Sequence, residues 1–182
     1  MKVTETSLPG VLILEPRVFE DERGFFLESW NARTFHEATG LDVRFVQDNH
    51  SRSKRGVLRG LHYQIEHAQG KLVRVTHGEV LDVAVDLRRS SPHFGKWTAA
   101  VLSAQNHRQM WVPAGFAHGF LVRSEWADFM YKTTDHRQAE AERSLRWDDP
   151  GLGVDWQLAG GRPLLASKDA EAPTIAEADT YA

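Results

Sequence analysis

Apolar and polar residues alternate along most of this chain in short runs with a period of two. The clearest run spans residues 79–87, where Val83, Val85 and Leu87 alternate with Asp82, Ala84 and Asp86. That spacing predicts a strand with one buried face. Residues 72–76 form a second such run, and His77-Gly78 between the two reads as a tight turn joining antiparallel strands. His62 lies in another apolar-rich stretch, beside Arg59. Further strands are expected over residues 43–47, 97–102, 109–112, 119–123 and 128–133, with two more near the start, over 10–19 and 24–30. Gly, Pro, Asn and Asp punctuate the runs at intervals of roughly 8–12 residues, the rhythm of a sandwich or barrel and not of βαβ units.

Helix signals are few. Asn31 is suited to cap a short helix running to Thr39, with Gly40 at its C-terminal end. Pro173 is suited to open another over residues 174–179. No repeat, low-complexity tract or Pro/Ser-rich linker interrupts the chain, which predicts one domain over residues 1–182.

Composition narrows the function. With 41% hydrophobic and 26% charged residues, the chain reads as a globular protein able to bury a core. A net charge of −3 with no basic block gives no electrostatic basis for binding nucleic acid. The absence of cysteine removes disulfides, thiolate metal sites and a Cys nucleophile. The early apolar run at 11–14 is too short for a signal sequence or a membrane span, so a cytoplasmic protein is expected.

Pro113-Ala114-Gly115-Phe116-Ala117-His118 has the form P-x-G-x-x-H and resembles the second motif of the cupin superfamily. A metal-binding cupin would also carry two histidines one residue apart, whereas this chain reads His62-Tyr63-Gln64. A neutral amide is a poor ligand for a divalent transition metal, and a catalytic site needs about three protein ligands. No metal and no organic cofactor are therefore expected.

Several ordered segments carry a more specific resemblance. They are Arg59-Gly60-Leu61-His62-Tyr63-Gln64, Gln69-Gly70-Lys71-Leu72-Val73-Arg74-Val75, Ser91-Pro92-His93-Phe94-Gly95, Tyr131-Lys132-Thr133-Thr134-Asp135 and Arg146-Trp147-Asp148-Asp149-Pro150, with the run from Gly78 to Arg88. In this order and spacing, from about residue 3 to residue 170, they resemble the dTDP-4-dehydrorhamnose 3,5-epimerase family. The resemblance implies an all-β, cupin-type jelly roll with short peripheral helices. It also implies epimerisation of a dTDP-linked 4-keto-6-deoxy sugar at C3 and C5, the two carbons alpha to the ketone.

By the same resemblance His62 is the base, Asp169 orients its imidazole, Lys71 stabilises the oxyanion and Tyr131 reprotonates carbon from the opposite face. These residue types suit the task. Histidine titrates near working pH, a buried cation stabilises an enolate, and a phenol keeps its proton at neutral pH. Arg23, Glu28, Gln47, Asp48, Asn49, Arg59, His118, Glu142 and Lys168 match the positions that hold the nucleotide sugar. Arg23 and Glu28 would reach into a partner's site in a homodimer. Where many family members have aromatic residues that stack on the thymine ring, this chain has His136-Arg137, whose flat side chains are the stacking candidates.

Taken singly, each of these residues has an ordinary reading: a structural histidine, a surface lysine, a core-edge tyrosine, a turn aspartate. Four other functions fit parts of the pattern: a single-centre C3 or C5 epimerase, a ketoisomerase, a sugar-binding cupin without catalysis, and a metal-dependent dioxygenase.

Overall fold

The computed structural model describes residues 1–158 and 160–182. Its elements, in chain order, are β1 (Lys2–Glu5), β2 (Leu12–Glu15), β3 (Val18–Asp21), β4 (Gly24–Leu27), α1 (Ala32–Thr39), β5 (Gln47–Lys54), β6 (Leu58–Gln64), β7 (Lys71–His77), β8 (Glu79–Asp86), β9 (Trp97–Ser103), β10 (Gln109–Val112), β11 (Phe116–Val122), β12 (Trp126–Thr133), β13 (Glu142–Ser144) and α2 (Ser167–Ala170). One antiparallel sheet has the order β1-β2-β10-β7-β12-β5, and a second has the order β13-β6-β11-β8-β9. The two sheets form a jelly roll, and β3-β4 stands apart as a hairpin. No helix among the described residues is long and apolar enough to cross a membrane.

Side-chain alternation sorts the residues into layers. Val73 and Val75 of β7, Val80 and Ala84 of β8, Phe116, Phe120 and Val122 of β11, and Ala127 and Phe129 of β12 meet between the sheets. Each large apolar side chain fully buried there contributes about 1.5–3 kcal/mol. The outer face of the second sheet, through Leu58, Leu61, Leu81, Val83 and Leu121, packs under Leu145, Leu152, Trp156 and Ala178 of the C-terminal segment. On the other sheet Leu14, Leu72 and Trp111 pack under Phe35 of α1.

Four local expectations are corrected. Residues 72–76 and 79–87 do not form a hairpin, because β7 pairs with β10 and β12 while β8 pairs with β11 and β9. Gly78, at φ +75°, carries the chain from one sheet to the other. β8 is also not half-exposed, because the inner core covers one face and the C-terminal segment covers the other. Residues 10–19 split into β2 and β3 around Pro16, which has no N–H to give to a ladder, and the next strand stops at Leu27.

The fourth correction is at the C-terminus. Residues 174–179 make one turn, held by Ala178 N donating to Thr174 O at 2.9 Å and by Thr174 Oγ1 donating to Glu177 Oε2 at 2.8 Å. The chain then straightens, because Tyr181 N donates to Leu87 O at 3.1 Å and Arg89 N donates to Tyr181 O at 2.9 Å. Helix α1 is as expected: Asn31 Oδ1 accepts from Arg33 N and Thr34 N, and Gly40 closes the helix at φ +73°.

One irregularity shapes the site. β6 and β11 pair His62 with His118 and Arg59 with Phe120, so the register slips by one between them. The slip falls where two glycines touch: a Cβ on Gly60 would lie 2.6 Å from Gly119 Cα. Residues three apart on a regular strand face opposite ways. Across this bulge Arg59 and His62 face the same cavity.

Candidate functional site

A cavity of about 590 Å³ lies between the sheets, lined by residues of β5 and β12 on one side, β6 and β11 on the other, and residues 164–169 across it. His62 lines it with a side chain 31% exposed. Its Nε2 lies 2.6 Å from Asp169 Oδ1, and the second Asp169 oxygen accepts from Gly60 N at 3.3 Å. Asp169 is buried, carried by the short helix α2 against β6. A buried carboxylate on Nε2 fixes the orientation of the ring and leaves Nδ1 for a ligand.

Behind the histidine, Lys71 Nζ donates to His62 O at 3.3 Å. Burial pushes the Lys71 amine down to about 8, opposed by the fields of Asp82 and Glu142. His118 presents Nε2 to both oxygens of Asp82, at 2.9 and 3.0 Å, and its ring stacks near Phe129. Burial pushes the Asp82 carboxyl up, with His118 and Lys71 pulling against it. Tyr131 lines the cavity from β12, in the sheet facing His62. Burial and then the Glu142 carboxylate raise its phenol above the ordinary value, so it holds its proton at neutral pH.

Polar groups line the outer part of the cavity. Gln47 Nε2 donates to Asn49 Oδ1 at 2.9 Å, Arg59 Nε donates to Ser53 Oγ at 2.9 Å, and Lys168 stands beside Asp169. Asn49 Nδ2 is buried and has no partner among the described residues. An unpaired buried donor is costly, and an acceptor on a ligand would satisfy it. Arg137 forms a fork with Glu142 at 2.7 and 3.0 Å, holding that carboxyl below the usual range.

The structure therefore brings His62, Lys71, Tyr131, Asp169, Gln47, Asn49, Arg59, His118, Glu142, Lys168 and Arg137 to one cavity. It does not bring Asp48, Arg23, Glu28 or His136 to its lining. Asp48 points to the outer face of β5 and pairs with Lys132 at 2.8 Å. Arg23 sits at the tip of the β3-β4 hairpin and bonds Asp21, and Glu28 accepts from Asn31. His136 adjoins Arg137, with its main-chain oxygen turned to Gln64.

The family profile described as dTDP-4-dehydrorhamnose 3,5-epimerase matches residues 5–177. The chain belongs to this family. A dTDP-4-dehydrorhamnose 3,5-epimerase of Pseudomonas aeruginosa is 62% identical, over 100% of this chain and 99% of its own length. The Shigella flexneri enzyme of the same name is 54% identical, over 100% and 99%. The crystal structure of the dTDP-6-deoxy-D-glucose-3,5-epimerase of Legionella pneumophila Philadelphia 1, in complex with dTDP-4-keto-L-rhamnose, superposes with a TM-score of 0.95. It is 51% identical to this chain and covers 98% of it and 94% of the other. The fold is thus the cupin-like jelly roll of the epimerase family, as the sequence resemblance implied.

Sequence reading missed two features of this epimerase site. Asp82 belongs to the expected strand but reads there as its solvent face, whereas it is fully buried on His118. The available signal was an ionisable residue with two apolar residues on each side, Val80-Leu81 and Val83-Ala84. The strand expected over residues 43–47 does not form before Gln47; β5 runs instead from Gln47 to Lys54 and pairs with β12 along its whole length. No apolar alternation marks it, because one face lines a polar cavity and the other faces outward. Among the described residues no group of three His, Asp or Glu side chains is placed to hold a metal ion.

Proposed function

We propose that this chain, as one cupin-like domain, epimerises dTDP-4-dehydro-6-deoxy-D-glucose at C3 and C5 to dTDP-4-dehydro-L-rhamnose. It is an isomerase of dTDP-rhamnose biosynthesis, as its epimerase relatives are named. The observation that carries the reading is the His62–Asp169 pair at 2.6 Å, on one wall of a cavity whose facing wall carries Tyr131. His62 Nδ1 takes the proton from the carbon alpha to the ketone, and the bonding pair moves into an enolate whose charge rests on the C4 oxygen. Lys71 lies behind His62 with a buried charge that stabilises this oxygen. Tyr131 then gives its proton to the same carbon from the opposite side, inverting it. The phenolate and the imidazolium exchange protons with solvent, and the cycle repeats at the second carbon.

The test is incubation of the substrate in D₂O, reading deuterium at C3 and C5 by NMR. Label at both carbons with inversion is expected. Label at one carbon would make the enzyme a single-centre epimerase, and none at either would overturn the reading.

Lys71 gives the activity a pH limb. The protonated amine is the useful form, so the Lys71 contribution to kcat is fully present below pH 8 and is lost as pH rises through about 8. A pH–rate profile checks this, with Lys71→Arg as control. The guanidinium stays charged above pH 8, so the limb should vanish in the variant even though its rate is lower. A limb unchanged in the variant would assign it to another group.

We further propose a cytoplasmic homodimer in which Arg23 and Glu28 serve the partner's cavity. Exposed Phe25 (61%) and Phe26 (66%) on their hairpin support it, since neighbouring aromatics seldom stay uncovered. Sedimentation with dTDP titration tests it. Dimer dissociation on dilution should take nucleotide affinity with it, and full affinity in a monomer would sink the idea.

A further inference from the structure

Gln64 occupies the position at which a metal-binding cupin has its second histidine, and it is 4% exposed. Its amide is fully engaged. Nε2 donates to His67 O at 2.8 Å and to His136 O at 3.3 Å, and Oε1 accepts from Gln138 N at 2.8 Å. Two of these bonds grip the main chain on either side of Arg137. A residue in a parallel strand engages its neighbour in this way, accepting from one residue and donating to the residue two before it. Here a side-chain amide does so for a segment that belongs to no strand. Of the other N–H groups of the segment, that of His136 donates to Asp135 Oδ1 at 2.7 Å and that of Arg137 to Gln47 Oε1 at 3.2 Å.

The gripped segment lies next to chemistry. Arg137 lines the cavity and its guanidinium holds Glu142, itself in register with Gln64 across β13 and β6. A main chain held on both sides limits where the Arg137 side chain can reach. Without that hold, the His136 carbonyl and the Gln138 N–H would lose these partners and the segment would be free to shift.

We propose that Gln64 is a positioning residue for nucleotide recognition: its amide fixes the His136–Gln138 main chain so that Arg137 is presented to the base end of the substrate. This rests on the assignment of His136 and Arg137 to the base. Gln64 also lines the cavity, but its amide bonds all go to main-chain groups and none to His62, Lys71 or Tyr131, so its loss weakens nucleotide binding and leaves proton transfer intact.

Two variants test it, with a thermal melt on each to confirm folding. Gln64→Leu removes all three bonds at similar volume. Gln64→Glu keeps the acceptor for Gln138 N and loses both donors, and it provides the reading if the leucine variant does not fold. Calorimetry with dTDP and with inorganic pyrophosphate separates the base end from the diphosphate end. The leucine variant should lose about tenfold in dTDP affinity, with pyrophosphate affinity unchanged and the glutamate variant between. KM for the nucleotide sugar should rise while kcat holds. Equal losses for dTDP and pyrophosphate, a fall in kcat at constant KM, or no change at all would each overturn the proposal. Arg137→Ala and His136→Ala run alongside. If they weaken dTDP binding and Gln64→Leu does not, only the positioning role fails. If neither weakens it, the base assignment fails and the role of Gln64 fails with it.

Discussion

Replacing His62 with alanine cuts deuterium incorporation at both C3 and C5 and the formation of epimerised product together. The expected loss is about 10²–10⁴-fold in kcat, the usual worth of a positioned proton-transfer group. The other two imidazoles that line the cavity already face carboxylates: His118 Nε2 lies 2.9 Å from Asp82 Oδ1, and His50 Nε2 lies 3.5 Å from Asp128 Oδ1. Asp169→Asn should approach the same loss, because a neutral amide cannot stabilise the imidazolium and can favour the wrong tautomer. The Asp169 side chain is buried and its second oxygen accepts from Gly60 N, so the two changes differ in one respect. The asparagine variant should also lose some stability, read as a lower denaturant midpoint. Substantial exchange at either carbon in His62→Ala would require a second base and would remove the histidine from its role.

Tyr131→Phe separates the two halves of the reaction. Proton removal needs His62, while inversion needs a donor on the opposite face. The variant should still wash deuterium into C3 or C5 of recovered substrate, because the partly exposed His62 exchanges with solvent and returns a deuteron to the face it came from. Inverted product should fall by about 10²-fold or more. NMR of the recovered sugar distinguishes exchange with retention from exchange with inversion. Inversion at the wild-type rate would assign the acid elsewhere, and loss of exchange together with inversion would mean that the phenol is needed for the first step. The raised proton affinity of Tyr131 suits a group that must arrive at the enolate still protonated.

Strands with one face in the core were legible in the chain, because period-two apolar alternation is local information. Residues 97–102, 109–112 and 128–133 lie inside β9, β10 and β12, and the Asn31 and Gly40 signals bound α1 because caps act on their own turn. The polar strand β5 was not legible, since what holds it is the ladder to β12 and what it lines is a cavity formed by both sheets. The hairpin expected around Gly78 failed for a related reason. A glycine between two strands permits a sharp change of direction, but whether the strands then pair or part depends on what else can pair with them. β7 and β8 are each taken on both edges by other strands.

The site divides in the same way. The sequence by itself determined which reactive side chains exist and, through their resemblance to the epimerase family, which reaction they serve. Only the tertiary structure decided that His62 meets Asp169, a residue more than a hundred positions later in the chain. It also set Arg59 and His62 on one face through the Gly60–Gly119 contact. It buried Asp82 on His118 and turned Gln64 into a clamp on the segment around Arg137. The physical reason is that side-chain type and local periodicity are properties of neighbours in sequence. Burial, hydrogen-bond partners and proton affinity belong to neighbours in space, and in a jelly roll those come from strands far apart along the chain.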